Sequence, residues 1–97
     1  MKYEIVLSSE AAQTYKAMGA HQKAEVRKAI ELHLRHEPAK ISRNRIKRLR
    51  GLSRPQYRLR VGEMRIYYDI SNSTVEALAI IENPKSVEWL EKAGEPE

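Results

Sequence analysis

The stretch from Tyr57 to Tyr68 constrains the fold most. Apolar and polar residues alternate on both sides of Gly62-Glu63. Tyr57, Leu59 and Val61 fall on one face of a strand, with Arg58 and Arg60 on the other. On the return, Met64, Ile66 and Tyr68 share the first face, and Arg65 and Tyr67 the second. A period of two over this length specifies two half-buried strands. Gly62-Glu63 supplies a two-residue turn, and a type II′ turn wants Gly first. The register then follows: Val61 opposite Met64, Arg60 opposite Arg65, Leu59 opposite Ile66, Arg58 opposite Tyr67.

That register puts three guanidiniums and a phenol on one small patch of sheet. Directly opposed residues have Cβ atoms roughly 5 Å apart, and like charges there destabilise. At an effective dielectric near 20, two unit charges at that separation repel by about 3 kcal/mol. Salt and splayed side chains reduce the cost, and a solvated face of outward-pointing arginines is the plain alternative. Folding gains nothing from Arg60 facing Arg65, whereas a bound polyanion relieves the repulsion.

The remaining charge is equally one-sided. No Asp or Glu occurs from Pro38 to Gly62. Nine of the eighteen Lys and Arg lie there: Lys40, Arg43, Arg45, Lys47, Arg48, Arg50, Arg54, Arg58 and Arg60. Glu88, Glu91, Glu95 and Glu97 crowd toward the C-terminus, and the net charge is +5. A concentrated basic segment is a footprint for nucleic acid or for an acidic protein partner.

Ninety-seven residues suit one domain, 1–97, with one modest core. No apolar run approaches the roughly 20 residues of a membrane span. Residues 1–7 are too short and, at Glu4, too acidic for a signal peptide. The absence of cysteine removes disulfides and thiolate metal ligands. These features together predict a cytoplasmic protein with no membrane partner.

Along the chain, Tyr3, Ile5 and Leu7 mark a first strand. Ser8-Ser9 supply an N-cap, Glu10 to Met18 a short helix, and Gly19 its stop. A second helix starts at Ala20 or His21. Its stripe is Ala24, Val26, Ala29, Ile30 and Leu34, and Pro38 ends it. Residues 39–55 form a basic connection, tacked down by Ile46 and Leu49, with a short strand at Lys47–Arg50. After the hairpin come a turn at Ile70–Thr74, a strand from Val75 to Ile81, and a break at Asn83-Pro84. A helix over Lys85–Lys92 follows, with Val87 and Leu90 or Trp89 as anchors, and then a frayed tail from Gly94. The fold class is α+β: an N-terminal strand, an αα-hairpin, an antiparallel β-meander and a short C-terminal helix.

Metal chemistry has little support. His33 and His36 share a helix face without a carboxylate at ligand spacing and read as exposed, so no metal or cofactor is expected. No glycine loop cradles phosphate, and no Ser/His/Asp spacing is evident. RNA cleavage needs no metal where the substrate 2′-OH attacks its own phosphate. The protein must then orient that hydroxyl and stabilise the charge of the transition state, which arginines forked onto phosphate oxygens do. A general base and acid add to this. Tyr67 and Lys85 are the candidates, with Glu82 third; their plainer readings are a packed aromatic and an ordinary first-turn lysine. A Tyr or Lys base needs a lowered pKa, and neighbouring arginines push that way. Tyr57, Tyr68 and Trp89 read as core or helix anchors rather than base-stacking platforms.

Lys47-Arg48-Leu49-Arg50-Gly51, followed by Tyr57 to Tyr68, resembles the RelE/ParE superfamily of bacterial toxins. The pattern is an LxG turn, a Y-R/K-x-R/K strand and a returning G-x-x-R-x-x-Y. The likeness spans nearly the whole chain. The RelE-like branch implies the toxin of a type II toxin–antitoxin system: an mRNA interferase acting on the ribosome, held inactive by a cognate antitoxin. It implies that Arg58 and Arg60 contact the scissile region and that Arg65 binds phosphate. Lys47, Arg48, Arg50 and Arg54 would hold the RNA or ribosome backbone. Past the third strand the match fades. Relatives commonly place a basic residue and then a Tyr or His, where this chain has Lys85 and then Trp89. An indole does not exchange the same proton. Two alternatives therefore stand: a ParE-like inhibitor of DNA gyrase, and an RNA-binding translational repressor that does not cut.

Overall fold

In the computed structural model, which describes residues 2–97, three layers stack. Two helices lie on one face of a five-stranded sheet, and a third lies on the other. The strands are β1 (Glu4–Leu7), β2 (Ile46–Arg48), β3 (Leu52–Arg54), β4 (Tyr57–Val61), β5 (Met64–Ser71), β6 (Thr74–Glu82) and β7 (Glu95–Pro96). The helices are α1 (Ser9–Ala17), α2 (Ala20–Ala29, continued by a π-helical turn Ile30–Leu34) and α3 (Asn83–Ala93). The large sheet has the order β1-β6-β5-β4-β2. The expected meander is its centre, β4-β5-β6. Parallel pairing of β1 with β6 makes the sheet mixed, and β2 adds an antiparallel edge.

The hairpin register is the expected one, with every pair from Tyr57↔Tyr68 to Val61↔Met64 in place. Gly62 has φ +56° and Glu63 does not share that sign, as a type II′ turn requires. The core lies on the first face. A row of Ile46, Leu59, Ile66 and Ile80 crosses four strands, and each residue is at most 3% exposed. Against it pack Ala11 and Tyr15 of α1 and Val26, Ala29, Ile30 and Leu34 of α2. Tyr68 is fully buried, and its hydroxyl donates to the Pro38 carbonyl at 2.6 Å. That bond fixes the end of the helical layer to the sheet, and burial pushes the Tyr68 pKa well up.

Several expectations need correction. Ala24 is exposed, outside the apolar stripe. Gly19 does not stop α1 in a left-handed conformation: with φ −69° it is the N-cap of α2. Val87 faces solvent at 65% exposure, which leaves Trp89 and Leu90 as the inward side of α3. The tail is not frayed, since Glu95–Pro96 pairs with β3. Gly94 permits this pairing: a Cβ there would lie 2.6 Å from the Leu90 carbonyl oxygen and 3.2 Å from Leu52.

One irregularity decides which side chains meet. Between β5 and β6 the register slips, so Tyr67 pairs with Ala79 but Tyr68 with Ala77. Leu78 is the extra residue of a bulge. Its carbonyl accepts the Ser8 hydroxyl at 2.7 Å, while Ser8 Oγ accepts the Ala11 N–H and caps α1. The slip turns Ala79, with its single methyl, to the second face beside Tyr67.

His33, expected as exposed, is partly buried. Burial, with a smaller push from Arg45, lowers its pKa. The unfolded chain then binds more protons than the native one below about pH 6.5, the ordinary histidine value. Stability is therefore expected to fall as pH drops through that value toward the folded pKa. Urea titrations at a series of pH values should show the fall, and His33→Gln should flatten it. Among the described residues no helix is long and apolar enough to cross a membrane.

Candidate nucleic-acid interface

The second face of the sheet carries two rows of interest. One runs Lys47, Arg58, Tyr67 and Ala79 across β2, β4, β5 and β6. The next holds Arg60, Arg65 and Ile81. The sequence thus brings Arg58, Arg60, Arg65 and Tyr67 together as expected. The face is not open, however. Helix α3 folds back over it, and Trp89 stacks on Tyr67 with ring centroids 5.0 Å apart and planes 16° from parallel. The indole Nε1 donates to Glu10 Oε2 at 2.7 Å. Tyr67 is left 2% exposed and Arg65 8%.

Burial of guanidiniums has visible costs. Arg65 Nη1 donates to the carbonyls of Gly62 and Met64, each at 3.0 Å. Among the described residues Arg58 Nε is buried and has no hydrogen-bond acceptor. Burial pushes the Arg58 pKa down from the ordinary guanidinium value; Arg65 adds to this, Tyr67 opposes it, and Arg60 adds the smallest downward push. Arg58 stays charged at neutral pH, yet its proton is held less firmly than in water. The guanidiniums of Arg60 and Arg65 stand on the same face as this N–H. Arg60 is exposed at the outer end of the cluster.

The other expected contact residues are dispersed. Lys47 lies next to Arg58 on β2 and is exposed. Arg48 is tied back: its Nη1 donates to the Gln56 carbonyl at 2.7 Å, and its guanidinium sits 5.2 Å from the Tyr57 ring centroid. Arg50 is exposed. With Lys47 and Arg48 it lines a groove of about 890 Å³, floored by Ile41, Leu49, Leu52 and Leu90. Arg54 lies elsewhere and is engaged. Its Nε is 3.2 Å from Asp69 Oδ2, and its Nη2 is 3.2 Å from Glu76 Oε1. Burial raises the Asp69 pKa, against the pull of the Gln56 N–H and of Arg54. Lys85 is exposed in the first turn of α3. It lines two grooves with Ile81, and none of the arginines lines either. Among the described residues no cluster of three or more His, Asp or Glu is placed to hold a metal.

The fold resembles that of RelE–RelB complexes. A chain of the archaeal RelE–RelB complex from Pyrococcus horikoshii OT3 superposes with a TM-score of 0.70 at 16% identity, over 86% of this chain and 97% of that one. A chain of the RelB–RelE antitoxin–toxin complex from Methanococcus jannaschii gives 0.64 at 18%, over 87% and 96%. No protein-family model and no curated protein sequence matches the chain. At these identities the likeness is one of fold.

The pairing of Glu10 with Trp89 leaves no mark in the sequence, because nothing in the spacing links residues seventy-nine apart. The apolar floor that Leu90 completes under the basic loop is a second feature outside the expected site. The signal there was Leu49 and Leu52 flanking Gly51 within a run of cations.

Proposed function

We propose that this chain is the toxin of a toxin–antitoxin pair, an endoribonuclease that cuts ribosome-bound mRNA without a metal and so stops translation. The observation that carries the reading is the guanidinium cluster with its unpartnered Arg58 Nε. A phosphodiester at Arg58, Arg60 and Arg65 would accept the free donor and neutralise the repulsion in one step. In the reaction the substrate 2′-oxygen bonds to its own phosphorus and the bond to the 5′-oxygen breaks. Charge grows on the non-bridging oxygens, where preorganised guanidiniums act most strongly. The 2′-hydroxyl proton must leave and the 5′-oxygen must gain one. Tyr67 and Lys85 remain the candidates, and Tyr67 needs α3 to shift before its hydroxyl meets substrate.

Likeness to chains of RelE–RelB complexes supports a protein partner. The net charge of +5 and the arginine cluster favour the RNA-binding member of such a pair over the antitoxin. The groove of Lys47, Arg48 and Arg50 over an apolar floor suits an acidic, amphipathic antitoxin segment. A second reading, binding without cleavage, draws on the burial of Tyr67 and the separation of Lys85 from the arginines.

Expression without a partner protein in a translating extract tests these readings. Cut messenger, unaffected by chelators, is the expected result. Arrested translation over intact messenger would select the non-cleaving reading, and gyrase-linked DNA breaks in cells would replace both with a ParE-like one. Lys47→Ala should weaken RNA binding at every sequence alike. It should also flatten the log–log salt dependence by roughly 0.7 for single-stranded nucleic acid, measured by binding across a salt series.

A further inference from the structure

Helix α3 is held over the guanidinium cluster at three points. At its start the Asn83 N–H donates to the Glu63 carbonyl at 2.7 Å, which ties the helix to the hairpin turn. At mid-helix Trp89 meets Tyr67 and Glu10. Beyond its end Gly94 leads into β7, where Pro96 pairs with Leu52 and Glu95 with Arg54 of β3. The Ser53 hydroxyl donates to the Glu95 carbonyl at 3.2 Å, and the Glu97 N–H to the Gly51 carbonyl at 3.3 Å. Strand β3 is itself outside the large sheet. Arg54 moors it there, through Asp69 on β5 and Glu76 on β6. Gln56 steadies the same mooring: its N–H donates to Asp69 Oδ1 at 2.7 Å, and its Oε1 accepts the Ile70 N–H at 3.0 Å. An isolated pair of short strands is marginal in water, so the end of α3 is only as fixed as Arg54. Both of its ion pairs are partly exposed, and such pairs stabilise weakly. The closure is therefore shallow enough to open.

We propose that Arg54 works against RNA binding: it moors β3 and, through β7, latches α3 shut over the arginine patch. The inference rests on the RNA-binding reading above and adds an autoinhibitory contact to it. In the closed form Tyr67 is 2% exposed and Arg65 8%, so a phosphate has little access to the cluster. Release of β7 from β3 frees the end of α3, lets Trp89 leave Tyr67, and uncovers Tyr67, Arg65 and the Arg58 Nε together. A ligand that needs the open form binds with an affinity reduced by the fraction of molecules that are open. Arg54 thus acts in the opposite sense to Lys47: its positive charge is spent on Asp69 and Glu76, and its effect on RNA runs through the position of α3.

The chain has a single tryptophan, Trp89, so acrylamide quenching of its fluorescence reads the position of α3 with no RNA present. Two variants release the latch by different routes. Arg54→Gln removes both ion pairs. Gly94→Val drives the tail off β3, because its Cβ would lie 2.6 Å from the Leu90 carbonyl oxygen. Both should raise quenching above wild type. Both should also bind a 2′-O-methyl RNA tetranucleotide, which lacks the attacking hydroxyl, roughly fivefold more tightly. The sign of the change at Arg54 is decisive, since removing a cation that touches phosphate weakens binding. Weaker binding by Arg54→Gln would make Arg54 a contact residue and overturn the latch. Unchanged quenching in the variants overturns it too and leaves the phosphate reading standing. RNA bound by none of the three chains overturns the RNA-binding reading and the inhibitory role with it. Gly94 lies outside the core cluster, so its variant decides the matter even if Arg54→Gln does not fold.

Discussion

Arg65→Ala is expected to abolish toxicity, cutting RNA cleavage by about 100-fold or more, the usual cost of removing one preorganised donor from a developing oxyanion. Arg65 lies opposite Arg60 in register and is the largest like-charge influence on Arg58. The fold should survive. The variant loses two charge-assisted hydrogen bonds, to the Gly62 and Met64 carbonyls. It also loses the repulsion from Arg58 and Arg60. Each contribution is on the order of a few kcal/mol and they have opposite signs, so Tm should move little. Arg65→Lys keeps the charge but not the fork, and should retain part of the activity. Growth, RNA cleavage and thermal melting measured on the same preparations check this. Toxicity that persists in a folded Arg65→Ala chain would remove the arginine patch from the mechanism.

The hairpin was legible because a period of two and a glycine turn leave a single register, and a slip by one would bury the arginines in the helical core. The fate of its second face was not legible. Whether Arg58 and Arg65 lie under water or under α3 depends on Trp89 meeting Tyr67, a contact across twenty-two residues that no local pattern encodes. Strand β6 hid a different fact. Leu78, Ala79, Ile80 and Ile81 are all apolar, so alternation cannot reveal the bulge that turns Ala79 away from the core. Glu95-Pro96 reads as tail because neither residue favours strands; its pairing with β3 comes from the close approach at Gly94. Basic residues were easy to count and hard to place. Arg48 and Arg54 look like Lys47 and Arg50 in sequence, yet a backbone carbonyl, a tyrosine ring and two carboxylates engage the first pair.

Leu59→Ala should give the largest loss of stability, and it supplies the folding control for Arg65→Ala on the adjoining strand β5. Leu59 is fully buried at the middle of the Ile46–Leu59–Ile66–Ile80 row. Strands on both sides restrain the neighbours from collapsing into the space it leaves. A Leu→Ala change at such a site costs about 2–5 kcal/mol, against a total of about 5–15 kcal/mol for a domain. For a chain of this length that lowers Tm by on the order of 10–30 °C. Urea denaturation should show a lower midpoint at an unchanged slope, since the surface exposed on unfolding barely changes. The side chains before and after Leu59 are Arg58 and Arg60, so activity will fall too, but only in proportion to the unfolded fraction. Cooling should therefore restore the activity of Leu59→Ala and leave Arg65→Ala inactive. If cooling restored both, the arginine would be acting on the fold; if neither recovered, Leu59 would be shaping the site directly rather than holding up the sheet beneath it.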